Sequence, residues 1–323
     1  MLSLVLALAA LPACDGERAE DSPKAADSGC GGDCDSATDS GRDSPPVDSA
    51  DTGETGDSGD SAADTGGDTA SDTGADTGSE TGDTAEPPGG PGIVLFIGDG
   101  MGVHHVEGGG MYLTGSAGSL TMETLPYEGR LRTASLSGLT DSAASSTALG
   151  TGTKTYNGRL GIDRDGLDVE NLVERARARG MLTGVVTTDS LTGATPSAQV
   201  VHVDDRGDGA TIAAAYLGAM PDLALGGGYL DFEDALSTAS VNLVQTATDL
   251  AAASSDGRPL LGLFADDTFP FVVEGYDAEQ PTLAEMTTAA LDWLDGDPEG
   301  FFLVVEGARI DHASHANMED LVY

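Results

Sequence analysis

The sequence predicts an α/β domain built around a mostly parallel central sheet. Four short runs predict strands, at residues 93–97, 184–188, 260–264 and 301–305, and the continuously apolar run at 93–97 is typical of a strand that is buried on both faces. Helical patterns lie between the runs, and an alternation of strand and helix favours parallel pairing through right-handed crossovers. Polar and glycine-rich motifs follow several of the runs, and open α/β sheets form their sites at such carboxyl ends.

The first 14 residues are predicted to direct export. Residues 1–13 form an apolar run that is too short to span a bilayer but fits the apolar region of a secretory signal. Residues 11–14, LPAC, resemble a bacterial lipobox, which predicts lipidation of Cys14. The run lacks a basic start, and Pro12 is unusual in such a box. We therefore expect an exported protein, either periplasmic or lipid-anchored at the bacterial cell surface.

Residues 15–90 are predicted to be a disordered acidic tether. They repeat short Asp, Thr, Ser and Gly motifs and carry 21 acidic residues against 3 basic ones. Calcium binding is the alternative, although the final Glu of an EF-hand loop is absent. Cys30 and Cys34 could close a small disulfide loop, which the sequence does not decide. Residues 91–323 contain no cysteine and hence no thiolate zinc site.

The charge of the whole chain restricts its partners. The formal net charge is −41, and residues 91–323 carry 34 acidic and 11 basic residues. Such a surface repels nucleic acids and anionic lipids, so neither is an expected partner, and a membrane contact is expected only through a lipid at the N-terminus. A solubility surface is the ordinary interpretation of this charge, and adaptation to salt is the second.

A metal-binding loop is predicted directly after the first apolar run of residues 91–323. The segment GDGMG (residues 98–102) lacks the G-x-G-x-x-G spacing of a dinucleotide site, and Asp99 would repel a pyrophosphate. Glycines allow a sharp turn, and the carboxylate is a hard oxygen ligand, so a cation fits better. For the adjacent His104 and His105 we favour a surface or supporting role.

Residues 139–152 predict a helix whose first residue is a candidate nucleophile. Asp141 and Ser142 suit a helix N-terminus, and the Ala-rich run behind them is a good helix former. A hydroxyl there lies at the positive end of the helix dipole, where backbone N–H groups bind anions. The ordinary alternative is that Ser142 only caps the helix.

Two further helices are predicted from apolar periodicity. Residues 169–179 are amphipathic and stop at Gly180, and residues 282–295 begin with a capping box between Thr282 and Glu285. His202 is expected to pack or hydrogen-bond behind the site. Residues 207–300 otherwise carry little functional signal.

The last motif follows the run at residues 301–305. Glu306 ends that run, and Asp311 and His315 are four residues apart, so they can share one helical face and one metal ion. By itself this spacing is weak, because acidic residues and histidines often share a polar helix face.

Three of these motifs resemble those of the alkaline phosphatases: IGDGMG (residues 97–102), TDSAASSTA (140–148) and VEGARIDHASH (305–315). The resemblance covers about residues 93–323. It implies a three-layer α/β/α fold and the hydrolysis of small phosphate monoesters through a phosphoserine at a site with two zinc ions and one magnesium ion. A homodimer is one possible assembly of the protein.

The resemblance also assigns roles to particular residues. Ser142 would be the nucleophile and a zinc ligand, Arg206 would bind the substrate phosphate, and His312 would be a secondary phosphate contact. The implied metal ligands are Asp99 between a zinc and the magnesium, Thr195 and Glu306 on the magnesium, and Asp311 and His315 on a zinc. Gly193 departs from the family, which has Asp or His there, so metal affinity and rate are open.

The zinc sites of this family need a later Asp-His pair and a further His, which the chain lacks up to Tyr323. We therefore expect an N-terminal fragment with little or no activity by itself. The alternatives are a related phosphodiesterase, and a non-catalytic or metal-deficient surface lipoprotein that keeps the fold. A sulfatase would need a C/S-x-P-x-R signature, which is absent at Ser142.

Overall fold

A computed structural model describes residues 4–9 and 90–322 of the chain. Cys14, Cys30 and Cys34, and the tether up to residue 89, lie outside the described residues, so lipidation, disorder and a disulfide loop stay predictions. None of the described helices is long and apolar enough to cross a membrane.

The described residues form one seven-stranded sheet with the order β1-β2-β7-β3-β4-β6-β5. Every pairing between these strands is parallel, as the sequence predicts. The strands are β1 (Leu4–Ala9), β2 (Gly92–Gly98), β3 (Leu182–Ser190), β4 (Leu223–Gly227), β5 (Asn242–Val244), β6 (Leu260–Leu263) and β7 (Phe301–Gly307).

Helices connect the strands and cover both faces of the sheet. Alternate residues of β7 enter two separate apolar clusters: Phe302 and Val304 lie in one, and Leu303 and Val305 in the other. The fold is therefore three-layered, as expected. The helices are α1 (Val103–Thr114), α2 (Ser142–Thr151), α3 (Leu172–Arg177), α4 (Ala194–Ala198), α5 (Gly209–Gly218), α6 (Tyr229–Leu236), α7 (Ala247–Ala252), α8 (Leu283–Leu294) and α9 (Arg309–His315), with short 3-10 turns at Thr121–Thr124, Val272–Glu274 and Glu319–Leu321.

The four predicted strands are confirmed as β2, β3, β6 and β7, and α8 begins at the predicted capping box. Thr282 Oγ1 accepts from Glu285 N, and the Glu285 carboxylate accepts from Thr282 N. The helix predicted at residues 169–179 is shorter, because Val169 N donates to Gly161 O and Asn171 caps a helix that starts only at Leu172.

The apolar N-terminal segment also enters the sheet. Residues 4–9 form β1, the edge strand that pairs with β2. The export function expected of residues 1–14 stays a prediction, since this pairing does not bear on it.

The strand order decides where the motifs meet. β7 lies between β2 and β3, so three carboxyl ends that are far apart in sequence become neighbours. Gly98 is paired with Gly307, and Glu306 is paired with both Ile97 and Thr187. The loops after these three strands therefore open onto one edge of the sheet.

Candidate active site

Ser142 is the first residue of α2 and points at the loop after β2. Asp141 is the N-cap, and its Oδ1 accepts a hydrogen bond of 2.8 Å from Ala144 N. Ser142 is buried, and its Oγ donates to Asp99 Oδ2 at 3.0 Å. The hydroxyl therefore lies at the positive end of a ten-residue helix while bonded to a carboxylate.

Asp99 is held in place by the backbone of two neighbouring loops. Its N–H donates to Gly307 O at 3.3 Å, and its Oδ1 accepts from Gly100 N at 2.9 Å. Gly100 has a φ of +62°, and a Cβ at this position would collide with Asp311 Oδ1. The sharp turn after β2 thus brings the Asp99 loop against α9.

Glu306 is the most enclosed acid of the site. It is 1% exposed, and Thr187 Oγ1 donates to its Oε2 at 2.6 Å. Burial and the negative charges of Asp99 and Asp189 raise the pKa of Glu306 well above its usual range, against the Thr187 hydrogen bond and a further lowering effect of the Thr195 side chain. Its Oε1 is buried without a hydrogen-bond partner among the described residues.

Asp189, near the end of β3, is a site residue that the sequence analysis missed. Burial, and then the charges of Asp99 and Asp267, raise its pKa to about 7, although a hydrogen bond from Ser190 N and the charge of Arg206 oppose the shift. An acid at the carboxyl end of an apolar run was the signal that could have revealed it.

Arg206 is anchored beside the start of α2. Its Nη1 donates to Asp141 Oδ2 at 3.3 Å, and the same oxygen accepts from Gly158 N at 2.9 Å. Asp141 thus caps the helix through one oxygen and holds the guanidinium through the other. An anion near Ser142 would meet both the helix N-terminus and this cation.

Asp311 and His315 lie one turn apart on α9, as predicted. Asp311 Oδ2 is 3.4 Å from His315 Nε2, and Asp311 is buried whereas the His315 side chain is 32% exposed. The two side chains share one face of the helix, which is the arrangement that a shared metal ion requires.

His312 contacts the Arg309 guanidinium. Its Nδ1 is 2.6 Å from Arg309 Nη1, and because a guanidinium only donates, Nδ1 accepts and the proton of the neutral ring is on Nε2. Arg309 lies over the Phe271 ring at 3.8 Å and also donates to Thr268 Oγ1. The described contacts of His312 are thus with protein groups, and a phosphate contact stays a prediction.

The remaining histidines have supporting contacts. His104 is exposed and 3.1 Å from Glu107, and His105 Nε2 is 3.0 Å from Ser314 Oγ, which links α1 to α9. His202 hydrogen-bonds to the Gly161 carbonyl and to Glu174, as expected of a residue behind the site.

The residues present fit cations that prefer oxygen ligands. Asp99 and Glu306 are acids, Ser142 and Thr195 are hydroxyls, and Glu306 Oε1 is a buried oxygen without a partner in the described part of the chain. Over residues 4–9 and 90–322, no group of three or more His, Cys, Asp or Glu side chains could hold a metal ion as it stands. Each predicted set in fact contains at most two such residues, completed by hydroxyls or by ligands from elsewhere.

A family model described as alkaline phosphatase matches residues 92–227 and 224–321. The chain belongs to the alkaline phosphatase family. Among curated relatives of this family, streptomycin-6-phosphate phosphatase of Streptomyces griseus is 37% identical over 288 residues, which are 69% of this chain and 64% of the relative. Alkaline phosphatase of Escherichia coli strain K12 is 34% identical, over 69% of this chain and 61% of the relative.

Solved alkaline phosphatase structures share the fold. The cold-active enzyme from a psychrophilic Shewanella species has a TM-score of 0.65 at 34% identity, covering 70% of this chain and 58% of that one. The enzyme from the Antarctic bacterium TAB5 has a TM-score of 0.64 at 30% identity, covering 72% and 69%. A TAB5 mutant with Mg bound in its M3 site also matches, with a TM-score of 0.63 at 28% identity, covering 72% and 68%.

The match covers only part of the length of these alkaline phosphatase relatives. The chain spans 61% to 64% of the length of the two curated relatives named above. The match establishes the family and the three-layer fold. Because the chain covers less than two thirds of these relatives, their activity is assigned to this chain only as a proposal.

Proposed function

We propose that this protein hydrolyses small phosphate monoesters and releases inorganic phosphate, with Ser142 as the nucleophile. The observation that carries the proposal is the hydrogen bond of 3.0 Å from Ser142 Oγ to Asp99 at the N-terminus of α2. A buried hydroxyl at the positive end of a helix, bonded to an acid and close to an anchored arginine, suits attack on a phosphoryl group.

In the proposed reaction Ser142 Oγ forms a bond to phosphorus as the ester P–O bond breaks. The hydroxyl proton is lost, the departing alcohol gains one, and water then cleaves the phosphoserine to regenerate Ser142. Asp99 orients the hydroxyl before attack, and Asp141 orients Arg206. The guanidinium and the backbone N–H groups of α2 stabilise the negative charge on the phosphoryl oxygens.

The same residues support metal binding. We propose that Asp99, Thr195 and Glu306 hold magnesium, that Asp311 and His315 contribute to one zinc, and that Asp99 and Ser142 contribute to the other. When bound, these cations supply positive charge that favours the ionised form of the serine. Glu306 Oε1 supports the assignment, because a buried oxygen without a hydrogen bond gains most from a cation.

Trapping the phosphoserine tests the assignment of the nucleophile. The full-length product of the gene that encodes this chain is mixed with zinc, magnesium and a ³²P-labelled monoester and then quenched in acid. We expect label on the protein, no label on Ser142→Ala, and retained label on Ser145→Ala. Ser145 is a matched control in the same helical turn, and its Oγ donates to the Asp141 and Ser142 carbonyls. Label trapped on Ser142→Ala would refute the assignment.

Parallel assays distinguish the alternatives. Turnover of p-nitrophenyl phosphate that a chelator abolishes supports a metal-dependent phosphatase, whereas a preference for diesters favours the related phosphodiesterase. No turnover and no bound metal in the full-length product would favour the non-catalytic surface lipoprotein. Export and a lipid anchor at Cys14 belong to the proposal and are tested by radiolabelled fatty acid incorporation, which Cys14→Ser should abolish.

A further inference from the structure

Backbone conformation does not require a glycine at position 193, at the N-cap of α4. Its φ of −55° and ψ of 155° are open to any residue. A Cβ at this position, however, would collide with Asp189 Oδ2 and come within 2.8 Å of the Ser190 carbonyl oxygen. The Asp189 carboxylate therefore occupies the space into which a side chain at position 193 would project.

Asp189 is also tied to the acids of the candidate cation site. Its N–H donates to Thr187 Oγ1 at 2.9 Å, and the same hydroxyl donates to Glu306 Oε2. The negative charge of Asp99 raises the pKa of both Asp189 and Glu306, and the negative charge of Asp189 also raises the pKa of Glu306. The Thr187 hydroxyl thus links the backbone of Asp189 to the Glu306 carboxylate, and the negative charges of these acids act on one another where a cation would lie.

An independent observation points to a ligand in this region. Glu306 is 1% exposed, and its Oε1 has no hydrogen-bond partner among the described residues. Leaving a buried carboxylate oxygen unpaired is costly, so such an atom indicates an ion or a water at this point.

We propose that Asp189, from the space above Gly193, accepts hydrogen bonds from the waters of a divalent cation held by Asp99 and Glu306. The inference rests on the proposed function and deepens its magnesium site. Water-mediated contact is favoured because no three acidic, histidine or cysteine side chains of the described chain could hold an ion directly. Magnesium in particular keeps several waters and uses only one or two carboxylates.

The experiment measures cation affinity in the complete chain by electron paramagnetic resonance titration with Mn²⁺, competed by Mg²⁺. Glu306→Gln defines how much of the binding belongs to this site, since acidic residues elsewhere are unchanged in every variant. We expect Asp189→Asn, which keeps the side-chain volume, to weaken binding at this site by about 10- to 100-fold. Asp292→Asn removes one exposed acid of α8 and should leave the affinity unchanged.

A second variant tests the geometry rather than the charge. Gly193→Ala keeps every acid but displaces the Asp189 carboxylate, so it should weaken the same binding to a similar degree. Unchanged affinity in either Asp189→Asn or Gly193→Ala would overturn the assignment of Asp189 and leave the proposed function in place. Equal binding by Glu306→Gln and the unmodified chain would overturn both the cation site and the role of Asp189.

Discussion

Gly100 determines how closely two of the sequence motifs can approach each other. It has a positive φ, and the space that its side chain would need is filled by Asp311 from α9. Asp99 and Asp311 are far apart in sequence, and the missing side chain between them allows the loop after β2 to touch the helix.

We expect Gly100→Ala to destabilise the protein by about 1–3 kcal/mol, because it adds backbone strain and a collision with a buried carboxylate. Gly118→Ala is the matched control, since Gly118 has a φ of +74° but nothing within 4 Å of its added Cβ. Urea unfolding gives both free energies. Equal losses in the two variants would show that the contact with Asp311 adds nothing beyond the strained φ.

At this scale the sequence predicted where polar residues follow strands, but not which side chains meet. Asp99, Ser142, Glu306 and Asp311 were singled out because each belongs to a recognisable motif, and their roles stay predictions. Asp189 was missed, since its carboxylate fills the space that a side chain at position 193 would need, and only the folded backbone reveals this contact. The contact between His312 and Arg309 was also missed, because helical spacing alone does not show which neighbour a side chain contacts.

At the scale of elements, His202 connects α3 to the segment that carries Arg206. Its Nδ1 donates to Gly161 O at 2.7 Å, and its Nε2 is 3.0 Å from Glu174 Oε1. Burial would lower the pKa of His202, but the hydrogen bonds to Glu174 and Gly161 and the charges of Glu174 and Asp168 outweigh it, so the net shift is upward.

A raised histidine pKa makes stability depend on pH in a defined direction. The charged form is favoured by folding, so the contribution is complete below the unfolded pKa of 6.5 and is lost as pH rises through the higher pKa of the folded state. We expect a loss below about 1 kcal/mol, because Glu174 is partly exposed.

Urea unfolding between pH 5.5 and 8.5 measures this His202 contribution. His202→Gln should flatten that part of the pH profile, while His104→Gln, at an exposed position on α1, should leave it unchanged. A profile of His202→Gln that still matches the unmodified protein would contradict the prediction.

Element types were predictable where a pattern was continuous. The four short runs became β2, β3, β6 and β7, and the capping box gave the start of α8. β4 and β5 were missed, because L-A-L-G-G contains two glycines and N-L-V spans only three residues. Both strands pair with β6, one on each side of it. These pairings are tertiary contacts, which local sequence propensity does not predict.

At the scale of the whole molecule, the net charge of −41 opposes compactness. Like charges repel in the folded state, and the Debye length falls from about 10 Å at 0.1 M salt to about 3 Å at 1 M. We expect NaCl to stabilise the folded protein by an amount on the order of 1 kcal/mol, which is about 2–4 °C in Tm for a domain of this size.

Thermal unfolding at 0.05, 0.2 and 1 M NaCl measures the effect of this charge. Sodium sulfate at equal ionic strength is the comparison, because sulfate also strengthens apolar burial. A Tm that falls, or stays constant, as NaCl rises would show that repulsion between surface charges is not a significant cost.

The central position of β7 has a consequence for biosynthesis. A ribosome delivers β2 and β3 long before β7, yet β7 separates them in the finished sheet. Until residues 301–307 have emerged and inserted, the Asp99 loop and Thr187 lack the strand that sets their spacing. A nascent polypeptide can therefore bury much of its apolar surface before the edge that carries Asp99 and Glu306 has formed. Assembly of that edge depends on pairings that span more than 100 residues.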